Sequence, residues 1–82
     1  MKVVRFHIHV VANGERVTDE DGGDFADLVA ARREAVASAR EIMAQRLLTG
    51  QTIPADLSLI ITDAHGDTVG NFSMREIAVG GA

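Results

Sequence analysis

The chain lacks cysteine, tryptophan and tyrosine, and its 82 residues include only one proline and three phenylalanines. Without cysteine there can be no disulfide framework, no thiolate metal site and no cysteine nucleophile. A small domain that has no disulfides is typical of a reducing compartment. With so few aromatic side chains, the chain has little from which to build a stacking platform for nucleic-acid bases.

Long apolar segments are missing as well. Apolar runs such as Leu59–Ile61 are far shorter than the roughly 20 residues that span a membrane. At the N-terminus, Lys2 and Arg5 fall where a signal peptide would have its apolar region. We therefore expect a cytoplasmic protein that has no membrane partner.

Acidic residues outnumber basic ones by 12 to 8, which gives a net charge of −4. A moderate charge is ordinary for a small soluble domain. Nucleic acid is not an expected partner, because its binding depends on neutralising phosphates with Lys and Arg. An apolar content of 46% excludes a disordered chain. The length allows a single domain, residues 1–82, in which residues 79–82 are predicted to fray.

Apolar and polar side chains alternate in the first part of the chain, as in a half-buried strand. The apolar positions are Val4, Phe6, Ile8 and Val10, and the polar positions are Arg5, His7 and His9. Asn13 and Gly14 follow, and because both residues tolerate a positive φ they predict a type I′ hairpin turn. Such a turn pairs Val10 with Val17 on the core face of the sheet.

The register of this hairpin becomes unfavourable away from the turn. It pairs His7 with Glu20, but it also sets Ile8 against Asp19, which is a poor partner in a core. We therefore expect the second strand to leave the sheet soon after Val17.

A helix is predicted from about Leu28 to Leu48. Residues 19–24 before it are acidic and glycine-rich and read as a loop, and either Asp24 or Asp27 can cap the first helical turn. The predicted buried stripe recurs at three- and four-residue steps. Its members are Leu28, Ala31, Ala35, Ala39 and Ile42, widened by Val36, Met43 and Leu47. Gly50 is predicted to end the helix.

A second hairpin is predicted from residues 57–62, which alternate like the first strand, and from the turn at 63–66. A two- or four-residue loop would point Phe72 into the core. A three-residue loop with a glycine bulge would instead turn Val69 inward. We prefer the first arrangement. Residues 73–76 then fit a capping box that begins a short final helix.

The predicted order is hairpin, helix, hairpin, or ββαββ, which belongs to the α+β class. The simplest packing is one mostly antiparallel four-stranded sheet with a single long helix across one face. The core predicted from the two periodicities consists of Phe6, Ile8, Val10, Leu28, Ala35, Ile42, Leu59, Ile61 and Phe72.

Two histidines form the first candidate site. His7 and His9 lie two apart on a strand and so point to one face, beside Arg5. With Glu20 opposite His7, the four residues make a candidate binding face and a conceivable divalent-metal site. A polar, solvated sheet surface accounts for the same residues more simply, because a closed metal site needs four ligands. We therefore predict no metal and no other cofactor.

The sequence lacks the residues of other common binding and catalytic motifs. Asp19 and Asp21 have the spacing of the first two ligands of an EF-hand, but Gly22 comes too early and Ala30 stands where the loop needs Glu. There is no nucleophile elbow, phosphate-binding loop or dinucleotide fingerprint. His65 falls in a predicted exposed turn. No catalytic residues are predicted, and an enzyme is the less favoured interpretation.

Several segments together suggest a family. They are Arg5-Phe6 through His9 in the first strand, Asp19-Glu20-Asp21-Gly22 in the loop, Leu28, Ala31, Glu34-Ala35 and Ala39 in the helix, and Thr62-Asp63, Gly66 and Val69 in the last hairpin. With these the chain resembles a set of small alphaproteobacterial proteins catalogued only as a domain of unknown function, number 6894. The resemblance covers nearly the whole chain, although the first strand has fewer aromatic residues than usual and Met74 stands where a Phe is more usual. It implies one compact domain and no particular activity, cofactor or site residues.

The composition of the second hairpin suggests a function. One helix covers only one face of a four-stranded sheet, so the other face meets water or another chain. The candidate dimer contacts are Ile60, Val69, Asn71 and Phe72. We expect a non-enzymatic interaction module that self-associates as a homodimer, with regulation as one possible role and no second protein partner indicated. The alternatives are a small-ligand or metal-binding protein that uses the His7/His9 face, and an enzyme with its site at an oligomer interface.

Overall fold

A computed structural model describes residues 2–79 as a sheet of 5 strands with one long helix packed across it. The elements in chain order are β1 (Val4–Ala12), β2 (Glu15–Val17), β3 (Gly23–Phe25), α1 (Leu28–Leu48), β4 (Ser58–Asp63), β5 (Thr68–Ser73) and α2 (Met74–Ala78). All pairings are antiparallel, in the order β2-β1-β4-β5, and β3 also pairs with β1. The predicted α+β architecture is confirmed, with β3 as an additional short strand.

The first hairpin has the predicted turn. Asn13 and Gly14 have φ values of 55° and 74°, and Val10 pairs with Val17. The carboxylate of Asp56 accepts the Asn13 N–H at 2.8 Å and the Gly14 N–H at 2.7 Å. The Gly14 and Asn13 donors hold the pKa of Asp56 below its ordinary value. The turn is therefore fastened to the segment that leads into β4.

β2 ends at Val17, as predicted, but Val17 is 68% exposed and lies outside the core. The reason is its position, since β2 is the outermost strand at this end of the sheet. Part of the predicted loop at 19–24 forms β3, which pairs residues Val4–Phe6 with Gly23–Phe25. The expected pairing of His7 with Glu20 does not form, because the chain leaves β1 between β2 and β3.

Both ends of α1 are closed by side-chain and backbone hydrogen bonds. Asp27, one of the two predicted caps, accepts the Ala30 N–H through Oδ1 at 2.8 Å. At the other end Gly50 adopts a φ of 75°, and its N–H donates to the Leu47 carbonyl. The next N–H, from Gln51, donates to the carbonyl of Arg46, which completes a Schellman motif.

The second hairpin has the preferred register, with Leu59 opposite Phe72 and Ile61 opposite Gly70. Val69 is the extra residue of a bulge and is not turned inward. The predicted capping box is present, since the Ser73 hydroxyl accepts the Glu76 N–H and the Glu76 carboxylate accepts the Ser73 N–H.

The short helix α2 completes the core. Its Ile77 side chain is fully buried, and the Ile77 carbonyl accepts a hydrogen bond from Arg40 Nε of α1 at 2.9 Å. Val79 caps α2 and is exposed. The other residues of the predicted frayed tail, 80–82, lie outside the described part of the chain.

Small helix residues pack against large sheet residues in the core. The buried residues are Ala31, Ala35, Val36, Ala39 and Met43 on α1 and Phe6, Leu57, Leu59, Ile61 and Phe72 on the sheet side. Of the other predicted core residues, Ile8, Val10 and Leu28 are partly buried against this cluster. Ile42 is 48% exposed, so its prediction was wrong. Buried positions advance by four residues from Ala31 to Met43, which leaves Ile42 beside an apolar cleft of ≈ 220 Å³ that Ile8 and Val10 also line.

The core assignment predicts unequal effects for the same substitution at two leucines. Leu59 is 2% exposed and Leu48 is 81% exposed. We expect Leu59→Ala to lower the free energy of unfolding by about 2–5 kcal/mol, through lost transfer energy and a cavity. The matched control Leu48→Ala should change it by less than about 0.5 kcal/mol. Urea denaturation of both variants measures this, and similar losses in the two would contradict the assignment.

Candidate functional site

The candidate site lies where β1 has no strand beside it on one edge. β2 pairs with residues 10–12 of β1 and β3 with residues 4–6, so His7, Ile8 and His9 are paired only with β4 on their other side. An unpaired stretch of strand leaves backbone donors and acceptors to be satisfied by something else.

Asp19 lies at this unpaired stretch of β1, where its carboxylate, its backbone N–H and its carbonyl all form hydrogen bonds. Its carboxylate accepts the Ile8 N–H at 3.1 Å and the Gly22 N–H at 3.0 Å. Its backbone N–H lies 3.0 Å from Nδ1 of His9, and its carbonyl lies 2.8 Å from Nδ1 of His7. A single residue thus replaces the missing strand and holds both imidazoles.

These contacts determine the tautomer of each imidazole. A backbone N–H can only donate, so Nδ1 of His9 is an acceptor and the proton is on Nε2, which lies 3.0 Å from the Thr62 hydroxyl. A carbonyl can only accept, so Nδ1 of His7 carries its proton. The two rings are nearly parallel, at an interplanar angle of 6° and a centroid distance of 6.2 Å.

The environment favours the neutral form of His9, which is only 5% exposed. Burial lowers the pKa of His9, and the nearby charge of Arg16 lowers it further, against a smaller opposite effect of Asp19. For Asp19, burial by itself would raise the pKa. The donors Ile8 N–H and Gly22 N–H, with the two imidazoles, outweigh burial and hold the pKa of the Asp19 carboxyl below its ordinary value.

The predicted binding face is only partly assembled. Arg5 turns away from the imidazoles, since its guanidinium donates to the Asp21 carbonyl at 2.7 Å and pairs with Asp24 at 3.1 Å. Glu20 lines an open groove with His7 and His9 but is not paired with His7 across a ladder. The sequence analysis placed Asp19 opposite Ile8 but missed its hydrogen bonds to β1 and to both imidazoles, which join residues ten to twelve apart in sequence.

The metal interpretation gains no support from this geometry. Both ring nitrogens of His9 have partners inside the protein, which leaves Nε2 of His7 as the one imidazole nitrogen of the pair without a hydrogen-bond partner among residues 2–79. Within residues 2–79, no group of three or more His, Asp or Glu side chains is arranged to hold a metal ion. Asp63 at the end of β4 and His65 in the turn that follows line the same groove.

The predicted dimer contacts are also divided by the fold. Ile60 is half-buried on the face of the sheet away from α1, paired with exposed Asn71, and Val69 is exposed beside them. Phe72 is buried in the core, with the Arg32 guanidinium 5.3 Å from its ring centroid. The Phe72 side chain is therefore not available to a second chain, and only its backbone lies at the sheet edge.

Comparison with known proteins identifies the family. A model described as "Domain of unknown function (DUF6894)" matches residues 5–75. The chain belongs to the DUF6894 family. The match spans β1 through the start of α2, so it includes the Asp19 cluster and the β5 edge. No curated protein and no solved structure matched the chain. No helix among residues 2–79 is long and apolar enough to cross a membrane.

The crowding around Asp19 leads to a test with two glycines. Gly14 and Gly22 both have positive φ, 74° and 72°. A Cβ at Gly14 would meet nothing within 4 Å, whereas one at Gly22 would lie 2.9 Å from the Phe6 carbonyl and from Cε1 of His7. We expect Gly14→Ala to cost about 1–2 kcal/mol from the backbone conformation alone. Gly22→Ala should cost about 1–3 kcal/mol more, because the neighbours must move.

Thermal or urea denaturation of the two variants provides the measurement. Equal losses of stability in Gly14→Ala and Gly22→Ala would show that the 18–22 segment is not packed against β1 in solution.

Proposed function

We propose that this domain is a non-enzymatic, cytoplasmic interaction module of bacterial cells that forms a homodimer through the free edge of β5. The observation that carries the proposal is the difference between the two edges of the sheet. β5 is the last strand in the order β2-β1-β4-β5, and no strand of the described chain lies beyond it.

The sequence of β5 leaves this edge open to pairing. Thr68–Ser73 contains no charged residue and no proline. Natural edge strands are usually protected by charges, prolines, bulges or short length, and of these β5 has only the bulge at Val69. An unpaired edge of 6 residues is long enough to add a strand from another chain.

The face beside the edge supports the same partner. Val69 is 37% exposed and Ile60 is half-buried on the side of the sheet that α1 does not cover. A two-fold axis at the β5 edge would pair each strand with its own copy and bring the two apolar patches together. Such an interface is isologous, so one patch serves both chains.

A non-enzymatic role fits the histidine cluster. The nitrogens of His9 and the carboxylate of Asp19 are occupied in holding the chain together, which leaves them unsuited to proton transfer with a substrate.

The proposal is tested by a pair of matched valine variants. Val69→Lys places a charge at the β5 edge, and Val17→Lys places the same charge on the exposed β2 edge. We expect the wild-type chain to sediment as a dimer at about 50 µM, and Val69→Lys to raise the dimer dissociation constant at least about tenfold, or 1.4 kcal/mol. Val17→Lys should retain the wild-type constant.

A wild-type chain that remains strictly monomeric in sedimentation velocity would contradict the proposal, as would a Val69→Lys dimer as stable as the wild type. Ile60→Lys separates the two parts of the interface. A weaker dimer in this variant indicates that the face takes part, and an unchanged dimer confines the contact to the strand edge.

A further inference from the structure

The segment Thr18–Gly22 crosses the open edge of β1 between β2 and β3, and Asp19 makes most of the hydrogen bonds that attach it, beside one from the Arg5 guanidinium to the Asp21 carbonyl. Four hydrogen bonds join Asp19 to its surroundings, and two of them involve the imidazoles of His7 and His9. One of these bonds requires a neutral His9, because Nδ1 of His9 accepts the Asp19 N–H.

We propose that His9 and Asp19 form an acid-released latch, in which protonation of His9 detaches Thr18–Gly22 from β1 and exposes the strand edge at His7–His9. The proton is taken from solvent and binds at Nδ1. Nδ1 of His9 lies 3.0 Å from the backbone nitrogen of Asp19. Once Nδ1 is protonated, both atoms are donors, so the hydrogen bond between them is lost. Nε2 of His9 continues to donate to Thr62.

Burial makes the protonated state unfavourable while the segment is attached. The ring of His9 lies parallel to that of His7 and is almost inaccessible to water. A buried imidazolium needs a hydrogen-bond acceptor for each N–H. The Asp19 carboxylate is the anion that acts on His9, but its two oxygens already accept from the Ile8 and Gly22 N–H groups. Release of the segment restores access to water.

The charged groups around His9 come from every neighbouring element. The groove at His9 is lined by His7 on its own strand, Arg16 on β2, Asp19 and Glu20 in the segment, Asp63 at the end of β4 and His65 in the turn that follows. Burial, Arg16 and His7 lower the pKa of His9, and Asp19 opposes them. Because the pKa of attached His9 is lowered, release occurs below the ordinary imidazole value of about 6.5.

The sign of the effect on stability follows from linkage. With the segment detached, His9 binds a proton more readily than with the segment attached, so the detached state gains as pH falls. The stabilising contribution of the latch is complete above the ordinary imidazole pKa and is lost as pH falls through the lowered pKa of attached His9.

The rest of the sheet should keep its strand pairing when the segment is released. β1 pairs with β4 over six residue pairs, from Phe6 with Asp63 to Val11 with Ser58. The first hairpin keeps its Asp56-bound turn, which lies at the other end of β2. The expected acid form is therefore a folded protein with one mobile segment.

Nuclear magnetic resonance of the full chain tests the latch directly, between pH about 7.5 and about 4.5, above the ordinary titration of Asp. The ring ¹⁵N shifts of His9 should show the Nε2–H tautomer at neutral pH. As His9 titrates, hydrogen-exchange protection of the Asp19 and Gly22 amides, corrected for intrinsic exchange, should fall at least tenfold with the same midpoint. The Ile61 amide in the central strand should remain protected.

Three results would overturn the latch. They are an Nδ1–H tautomer of His9 at neutral pH, protection of Asp19 that persists after His9 has titrated, and loss of Ile61 protection together with that of Asp19, which would indicate global unfolding.

A pair of variants isolates the imidazole responsible. His9→Asn retains an oxygen near the position of Nδ1 but cannot titrate, so protection of Asp19 should become independent of pH over this range. His65→Asn, in the exposed turn that lines the same groove, should retain the wild-type midpoint. A wild-type midpoint in His9→Asn would overturn the proposal. If His9→Asn does not fold, the wild-type ring shifts and amide protection decide the matter by themselves.

Discussion

The close approach of one alanine-faced helix to the sheet determines how the rest of this domain is built. Ala31, Ala35 and Ala39 are almost completely buried against large side chains such as Ile61. With three phenylalanines and no other large aromatic residue, the chain fills its core with aliphatic side chains and lets the helix backbone come near. The narrow stripe covers only part of one face of the sheet, which leaves the cleft beside Ile42 open and the opposite face without a helix.

The path of the chain leaves part of one edge of β1 unpaired, and Asp19 supplies the missing hydrogen bonds. After β2 the chain must return along β1 to reach the start of α1, and the short strand β3 is part of that return. A continuous strand in this position would place Asp19 against Ile8 on the core side. The chain leaves the ladder instead, and the Asp19 carboxylate bonds the Ile8 N–H in place of a strand. The structure thus gives Asp19, one of the acidic residues of this loop, a direct part in holding the loop to β1.

The sequence predicts the features of this fold that depend on near neighbours. The Asn13-Gly14 turn and the Ser73–Glu76 capping box are each determined within four residues and were predicted, and Asp27 was one of the two caps predicted for α1. The alternation of the strands predicts which face of β4 and β5 is buried. β3 was not predicted, because three residues with one polar side chain carry no periodicity. Ile42 was misplaced because a three-residue and a four-residue step from Ala39 are equally regular in sequence, and packing selects Met43.

The cluster at His9 could be predicted only as a pair of histidines on one face. Its geometry depends on where a loop crosses β1, and Asp19 lies ten residues from His9 and eleven from Ile8 in sequence. An acidic residue opposite an apolar strand position signalled that the ladder must break there. The pattern did not predict that the side chain of the same residue would accept a hydrogen bond from the strand. Nothing in the pattern distinguishes a structural imidazole from one that faces a ligand.

The two edges of the sheet together limit the kind of assembly that the domain can form. In the proposed dimer, pairing of β5 with its own copy would use the one long, uncharged edge among residues 2–79, and each outer end of the combined sheet would then present β2, β3 and the segment held by Asp19. An assembly with sealed outer edges stops at two chains, because a further strand finds no continuous edge to join. Detachment of Thr18–Gly22 would open a second edge on each chain. On the two proposals, this second edge is the short stretch His7–His9 between β2 and β3, so its exposure would add a contact site to the β5 dimer and not a full strand edge.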